Sequence, residues 1–358
     1  MMWSISISYR LGLGFHALNN EGSDGSNLMQ PRRIDVGKMT YDGISGEMVR
    51  RHVLENFVRI CEDRKIDLLT ASRALHPDRG PLGLREVAKE SLKEDILTNK
   101  NVFMAARKAV ERCALVDVGG YLAAFSDKGK GDSIPPESDF LKRIAGLKKD
   151  DKPTTVKRDS VFDVGWLISE EPQEMTVTQH AAYRPTGDQS MFSQTMRSNV
   201  YGGVIRADLH RVGTDDYWYL NGKDGKAESR SVVSPEEQKR RQKALVQALV
   251  DYVASPTGAK TAGWAPHVFK TEGVILLTSA RTAPFASPIA VNLADPEGKA
   301  IRADSTYQSQ MTQLQNKTDT WAWTFSDVKT LLDANNCALK TLDGRDAKDE
   351  GEAEQTKG

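Results

Sequence analysis

Trp3-Ser4-Ile5-Ser6-Ile7-Ser8-Tyr9-Arg10-Leu11-Gly12-Leu13-Gly14 alternates apolar with small or polar residues at every step. Trp3, Ile5, Ile7, Tyr9, Leu11 and Leu13 point one way and the serines, Arg10 and the glycines the other, the period-2 signature of a β-strand with one buried face. Downstream, a Gly/Ser/Asn-rich stretch from Asn19 to Leu28 reads as a loop, and Pro31-Arg32-Arg33 leads on toward a helix that begins at Ser45. Ser45 suits an N-cap, and Glu47 complements the positive end of the helix. Val49, Val53, Phe57, Val58 and Cys61 form its apolar stripe, with Arg50, Arg51 and Arg59 nearer the polar side. A strand followed by a helix that packs on it is the first half of a ferredoxin-like or RRM-like βαβ unit.

Ala17 to His52 is also where chemistry gathers. An Ala-Leu-Asn-Asn-Glu-Gly turn follows the strand, and Ile44-Ser45-Gly46-Glu47-Met48-Val49-Arg50-Arg51-His52 opens the helix. Hydrogen-bonding groups and cations thus sit at element ends, where backbone N–H groups are unsatisfied, an arrangement suited to holding phosphates.

Further along, the second strand is delayed. Asp63 to Ala145 is polar and helix-prone, with helices expected at Leu84 to Leu97 and Asn101 to Val116, and reads as a helical insertion. Strand character returns at Ser160 to Ser169. Glu170 to Ser198 is rich in Gln, Thr, Ser and Met, contains Pro172, Pro185 and Gly187, and predicts a protruding hairpin or loop. Val200 to Val212 alternates again as a half-buried strand. Tyr217-Trp218-Tyr219 then leads to an Asn221-Gly222 turn. Ser234-Pro235-Glu236-Glu237 starts a helix to about Tyr252. Gly273 to Thr278 is a buried strand, Pro284 to Pro296 is loop, and Ser326 to Ala334 is a short helix. Without the insertions the order is strand, helix, strand, strand, helix, strand, an α+β pattern with no solenoid repeat.

The 358 residues hold 49 Lys plus Arg and 49 Asp plus Glu, a net charge of zero, where a chain that coats nucleic acid alone usually carries a positive excess. Distribution therefore matters. Lys142 to Arg158 has seven basic residues against two acidic, either a polyanion-facing run or ordinary charged surface, and Asp343 to Gly358 has six acidic against three basic. The latter is expected to be a disordered, solvated tail. Mean hydropathy is −0.50. No apolar run reaches the ~18 residues of a membrane span, and Met1 leads straight into a strand, so no membrane and a cytoplasmic location are expected. Cys61, Cys113 and Cys337 fit neither a disulfide framework nor a metal clip, as suits a reducing compartment.

Catalytic signatures are weak. His16, His52, His76, His180, His210 and His267 have no metal-ligand spacing, so neither a metal nor a cofactor follows. Gly258-Ala259-Lys260-Thr261 mimics the end of a P-loop without its upstream glycine, and no Gly-x-Ser-x-Gly elbow occurs. His16 or His52 with Asp24 offers an endoribonuclease alternative.

Four motifs in order carry a resemblance: Leu18-Asn19-Asn20-Glu21-Gly22; Ile44 to Arg51; Arg197-Ser198-Asn199-Val200-Tyr201; and Pro256-Thr257-Gly258-Ala259-Lys260 followed by Pro266-His267 and Glu272-Gly273-Val274. Together they resemble the DevR-type RAMP family, the repeated guide-RNA-binding backbone subunit of type I CRISPR Cascade complexes. The resemblance implies a right-hand shape: an RRM-like (ferredoxin-like) palm, a helical fingers insertion and a protruding thumb hairpin. The palm would take residues 1–62, 159–169 and 198–342, the fingers 63–158, the thumb 170–197 and the acidic tail 343–358.

The chain would polymerise head to tail along CRISPR guide RNA beside other Cascade subunits, hold its phosphates and present bases for pairing with target DNA, without catalysis. Asn19, Asn20, Ser45, Glu47, Arg50, Arg51, His52 and Arg197 would contact RNA from the palm. On the thumb, Gln179, His180 and Arg184 would do so, with Met191 and Phe192 as an apolar wedge. Burial of charge between copies would account for the neutral balance. The DevR name also leaves a DNA-binding transcriptional regulator as an alternative, although no helix-turn-helix or basic-zipper signature is present.

Overall fold

The computed structural model describes residues 3–17, 20–21, 28–92, 102–124, 155–172, 176–183, 189–221, 229–257, 268–291, 301–303, 313 and 320–344. The chain opens with β1 (Ser4–His16), β2 (Asn20–Glu21), β3 (Leu28–Pro31), β4 (Arg33–Val36), β5 (Met39–Ile44) and α1 (Gly46–Asp63). Helices α2 (Thr70–Arg73), α3 (Arg79–Val87, extended by a π-helical turn at Ala88–Leu92), α4 (Val102–Arg112) and α5 (Ala114–Gly119) follow. Then come β6 (Tyr121–Ala124), β7 (Thr155–Arg158), β8 (Phe162–Val164), β9 (Leu167–Pro172), β10 (Thr176–Tyr183) and β11 (Gln189–Ala207). The last part holds α6 (Pro235–Ala254), β12 (Val268–Thr278), β13 (Ile289–Val291), β14 (Ile301–Ala303), β15 (Thr320–Phe325) and α7 (Val328–Leu342). Helices and a largely antiparallel sheet make this an α+β fold. Among the described residues no helix is long and apolar enough to cross a membrane.

The chain divides into two compact units: residues 1–53, 163–210 and 246–358 form the first, and 54–162 with 211–245 the second. In the first, the main sheet runs β15-β12-β1-β11-β9-β5-β4, each neighbour antiparallel. The alternating strand of the sequence is thus central, with Ile7 opposite both Ile205 and Ile275. Its apolar residues Ile5, Ile7, Tyr9, Leu11 and Leu13 are buried, as are Val49 and Val53 of α1 and Leu249 and Val253 of α6.

The expectation of one buried face is corrected. Ser4, Ser6 and Ser8 are buried as completely as the apolar side chains. The segment after β12 crosses this face: Ser4 Oγ donates to the Ala280 carbonyl at 2.8 Å and Ser6 Oγ to the Pro284 carbonyl at 2.5 Å. Ala286 packs there on Val274 and Leu276. Small hydroxyl side chains let the backbone approach closely and satisfy it once there.

Two stretches to which the sequence reading assigns no element contain strands. Arg33–Val36 and Met39–Ile44 form a hairpin about Gly37-Lys38, with Gly37 at φ 65, the conformation that the first central position of a type II′ turn requires. Trp321 and Trp323 lie on β15, which pairs with β12. The polar segment after β9 contains the antiparallel β10–β11 pairing, from Thr176↔Met196 to Tyr183↔Gln189. The C-terminal helix runs eight residues beyond the expected end, capped at its start by Asp327 and Thr330.

The second unit gathers the later part of α1, α2 to α5, the β6–β7 pair and the first part of α6. The helix expected over Asn101 to Val116 breaks at Cys113, which adopts extended backbone and caps α5 through its sulfur. The helix expected from Leu84 begins earlier, at Arg79. At the centre, Asp117 takes Arg158 at 2.5 Å and Arg241 at 3.1 Å, and Arg241 also reaches Glu237 at 2.9 Å. Arg158 donates further to the Asp117 and Thr214 carbonyls, each at 2.7 Å. These buried charges, each compensated, join 211–245 to 54–162, so the expected insertion over 63–158 does not stand by itself. Arg158, the end of the basic run, is 4% exposed and committed inward. The rest of that run through Thr154, and the acidic tail beyond Gly344, lie outside the described residues.

Candidate nucleic-acid interface

The site is built where β1 ends and α1 begins, entirely within the first unit. Between Leu13 and His16 the register of β1 against β11 slips by one residue, and Phe15 takes φ 51. Such a bulge re-aims the side chains that follow it. His16 turns inward, its Nε2 lying 2.9 Å from the Tyr201 hydroxyl. Tyr201 donates its own proton to Asp42 Oδ2, so His16 is the donor of the pair, a neutral imidazole protonated at Nε2. Arg197 Nη1 stands 2.8 Å from Asp42 Oδ1, and Asp42 N–H donates to Ser169 Oγ at 2.9 Å. Burial, reinforced by the Arg197 charge, pushes His16 down to about 3. Burial pushes Asp42 up to about 6, against the pull of Arg197, Tyr201 and the Gly43 N–H.

Three residues beyond Asp42, Ser45 caps α1: its hydroxyl accepts the Met48 N–H at 3.3 Å. The buried network therefore underlies the start of this helix. Gly46 has no room for a side chain, since a Cβ there would lie 2.2 Å from the Val164 carbonyl oxygen. Glu47 and Arg51 are exposed, and Arg50 and His52 half-buried. Partial burial lowers the Arg50 guanidinium from its usual value, opposed by Asp163 and Glu47. Asp163 also lies 3.8 Å from Arg206. Beside them, the Arg32 guanidinium stands over the Trp166 ring, 5.1 Å from its centroid.

Of the residues expected to contact RNA, Ser45, Glu47, Arg50, Arg51 and His52 share the first two turns of α1. Arg197 lies inside, 2% exposed, with its charge committed to Asp42. Asn20 is in β2, opposite Pro31. On the β10–β11 hairpin, His180 faces Phe192, Gln179 faces Ser193 and Ala181 faces Met191 in the backbone register. The side chains of Asn20, Gln179, His180, Met191 and Phe192 lie outside what is described, as do Asn19, Asp24 and Arg184 altogether. Sequence reasoning missed Asp42, Arg32 and Trp166. Asp42 falls in a strand to which the sequence reading gives no element, and Trp166 reads as part of the apolar surface of one continuous strand, whereas it sits at the break between β8 and β9.

On the serine face of the sheet, Arg10 spans two strands, donating to Glu170 at 2.5 Å and to Glu272. A groove of about 490 Å³ in the same unit is lined by Pro256, Thr257, Phe269, Lys270, Asp327 and Val328, among others. Among the described residues no cluster of three or more His, Cys, Asp or Glu converges as metal ligands do.

Residues 7–295 match the family described as CRISPR-associated negative auto-regulator DevR/Csa2. The chain belongs to this family. The match begins in β1 and ends just beyond β13, so it spans both compact units and includes the whole α1 site of this DevR/Csa2 member. No curated protein matches the sequence. Among solved structures, a chain of a CRISPR RNA-guided surveillance complex in a pre-nicking state is similar at 11% identity and TM-score 0.41, covering 88% of this chain and 90% of that one. A chain of another CRISPR RNA-guided surveillance complex gives 10% and 0.40, with 95% and 99% covered. Csc2 of Thermofilum pendens gives 11% and 0.38, with 99% and 90% covered.

Proposed function

We propose that this chain is a non-catalytic backbone subunit of a CRISPR ribonucleoprotein, repeated head to tail along guide RNA. The family match over residues 7–295 carries the reading, because it ties the chain to CRISPR systems over most of its length. The fold supports it. Removing the additions leaves β1, α1, β9, β11, α6 and β12, with sheet order β12-β1-β11-β9 and every neighbour antiparallel. That order supports a ferredoxin-like palm, and on this reading the helical stretch 63–158 would be the fingers and the β10–β11 hairpin the thumb.

RRM proteins stack bases on the open face of their sheet. Here that face is crossed by the segment holding Ala280 and Pro284, and its Arg10 is engaged by two carboxylates. The guide is therefore proposed to run along the α1 edge, its phosphates near Arg50 and Arg51 and the helix N-terminus. Sequence would be read by base pairing with target DNA, not by side chains. His16 supports the non-catalytic part of the reading, since a buried imidazole held neutral to about pH 3 is unsuited to general acid–base work near neutrality.

Expression with guide RNA and partner subunits tests the proposal: a multi-copy, RNA-containing particle is expected. Recovery of an RNA-free monomer would overturn it. The family's description as a negative auto-regulator keeps a second reading, a duplex-DNA-binding regulator, which predicts tight DNA binding without any guide.

A further inference from the structure

We propose that Trp166 is a stacking platform for one base of a single RNA strand, with Arg32 as the cation that holds it ready. The inference rests on the RNA-binding reading above and adds to it a site that reads the presence of a base instead of a phosphate.

Trp166 is 41% exposed, although it lies in the short connection between two strands whose neighbouring residues Phe162 and Leu167 are buried. The indole is not loose. Arg32 lies over the ring at 5.1 Å from its centroid, a cation–π contact that fixes the plane of the indole. Against β5, Gly43 leaves the space that the indole occupies: a Cβ at that position would come within 3.2 Å of the ring's Cε3 and 2.6 Å of Ile34 Cδ1. The ring thus meets backbone on one edge and a guanidinium over its plane, and it presents remaining surface to solvent in a fixed orientation. Pre-organisation of this kind removes the ordering cost that a mobile side chain would meet on binding.

The setting chooses the occupant. Gly165 and Val164, which precede Trp166, press against Gly46 at the first turn of α1, and Arg50 and Arg206 flank Asp163 nearby. A flat aromatic surface bordered by guanidinium groups matches a nucleobase whose phosphates face cations.

The test uses the purified full chain, a short oligoadenylate RNA and a ribose-phosphate strand of equal length lacking bases. Wild type is expected to bind the RNA more tightly than the abasic strand. Trp166→Leu should weaken RNA binding by about 5- to 150-fold, the effect of losing one stacked base, and leave abasic binding unchanged, which also certifies its fold. Trp166→Phe, which keeps a ring, should retain most of the preference. Equal losses on both strands, or no loss on either, would overturn the platform while leaving RNA binding in place. Failure of wild type to bind either strand would instead overturn the RNA-binding reading and the platform with it. Capture of a partner subunit that depends on Trp166, with RNA affinity unaltered, would reassign the indole to a protein interface.

Discussion

At the scale of single residues, His16 and Asp42 pull stability in opposite directions with pH. The folded-state value of His16 is lowered, so its contribution is present above its unfolded value near 6.5 and is lost as pH falls toward about 3. That of Asp42 is raised, so its contribution is present below its unfolded value near 4 and is lost as pH rises through about 6. Between about pH 4 and 6 the two slopes oppose one another and largely cancel. His16→Gln, which keeps an N–H donor for Tyr201, removes one of them. The stability difference between wild type and this variant should then change by about 1.4 kcal/mol per pH unit across that window, read from urea unfolding at several pH values. A difference independent of pH would show that His16 does not titrate as its burial demands.

Arg197 gives a second prediction at this scale. Replacing it with Met leaves Asp42 buried without its cation, at a cost of about 3 to 5 kcal/mol. Adding Asp42→Asn should recover much of the loss, because the remaining group is neutral. Additive losses in the double variant would mean that the ion pair is not the coupling between these positions.

At the scale of elements, α1 is where a prediction about RNA belongs. Arg50→Ala with Arg51→Ala should weaken binding of all guide sequences alike and reduce the salt dependence by roughly 0.7 for each single-strand phosphate that the helix ceases to neutralise. An unchanged slope would make both residues ordinary solvated positions on the helix. This helix was also the most legible element. Its cap at Ser45 and its stripe of Val49, Val53, Phe57 and Cys61 stand as the sequence reads them, since spacing and capping are local properties. β1 was legible as a strand, yet the burial of its serines depends on a segment some 280 residues away, which no local pattern encodes. The β4–β5 hairpin was missed because Arg33-Ile34-Asp35-Val36 is short and follows a Pro/Arg run that suggests loop. Within the site, the α1 positions could be found from the helix start. Asp42 and Trp166 could not, because their roles come from long-range partners, Arg197 on β11 and Arg32 between β3 and β4.

At the scale of the whole molecule, the equal numbers of acidic and basic residues argue that RNA alone does not account for its surface chemistry. If copies share an interface along the guide, shortening the β10–β11 hairpin across Gln179 to Ser193 should leave the main sheet folded but loosen RNA retention and the association of copies. Chemical footprinting of bound guide RNA should show a regular array of displaced nucleotides with the intact chain, fading in the shortened one. An identical footprint would remove the hairpin from RNA deformation.

The central position of β1 also governs how the chain comes to exist. Its two neighbours in the sheet, β11 and β12, lie about 190 and 260 residues downstream. At a synthesis rate of about 5–20 residues per second, this interior strand leaves the ribosome roughly 10 to 60 seconds before its second partner is made. During that interval its Ile, Tyr and Leu residues have no sheet to enter, while α2 to α5 of the second unit can already pack on one another, with Arg241 arriving later to complete their centre. Translation therefore sets the earliest moment at which this sheet can close, and β1 waits longest for the second of its partners.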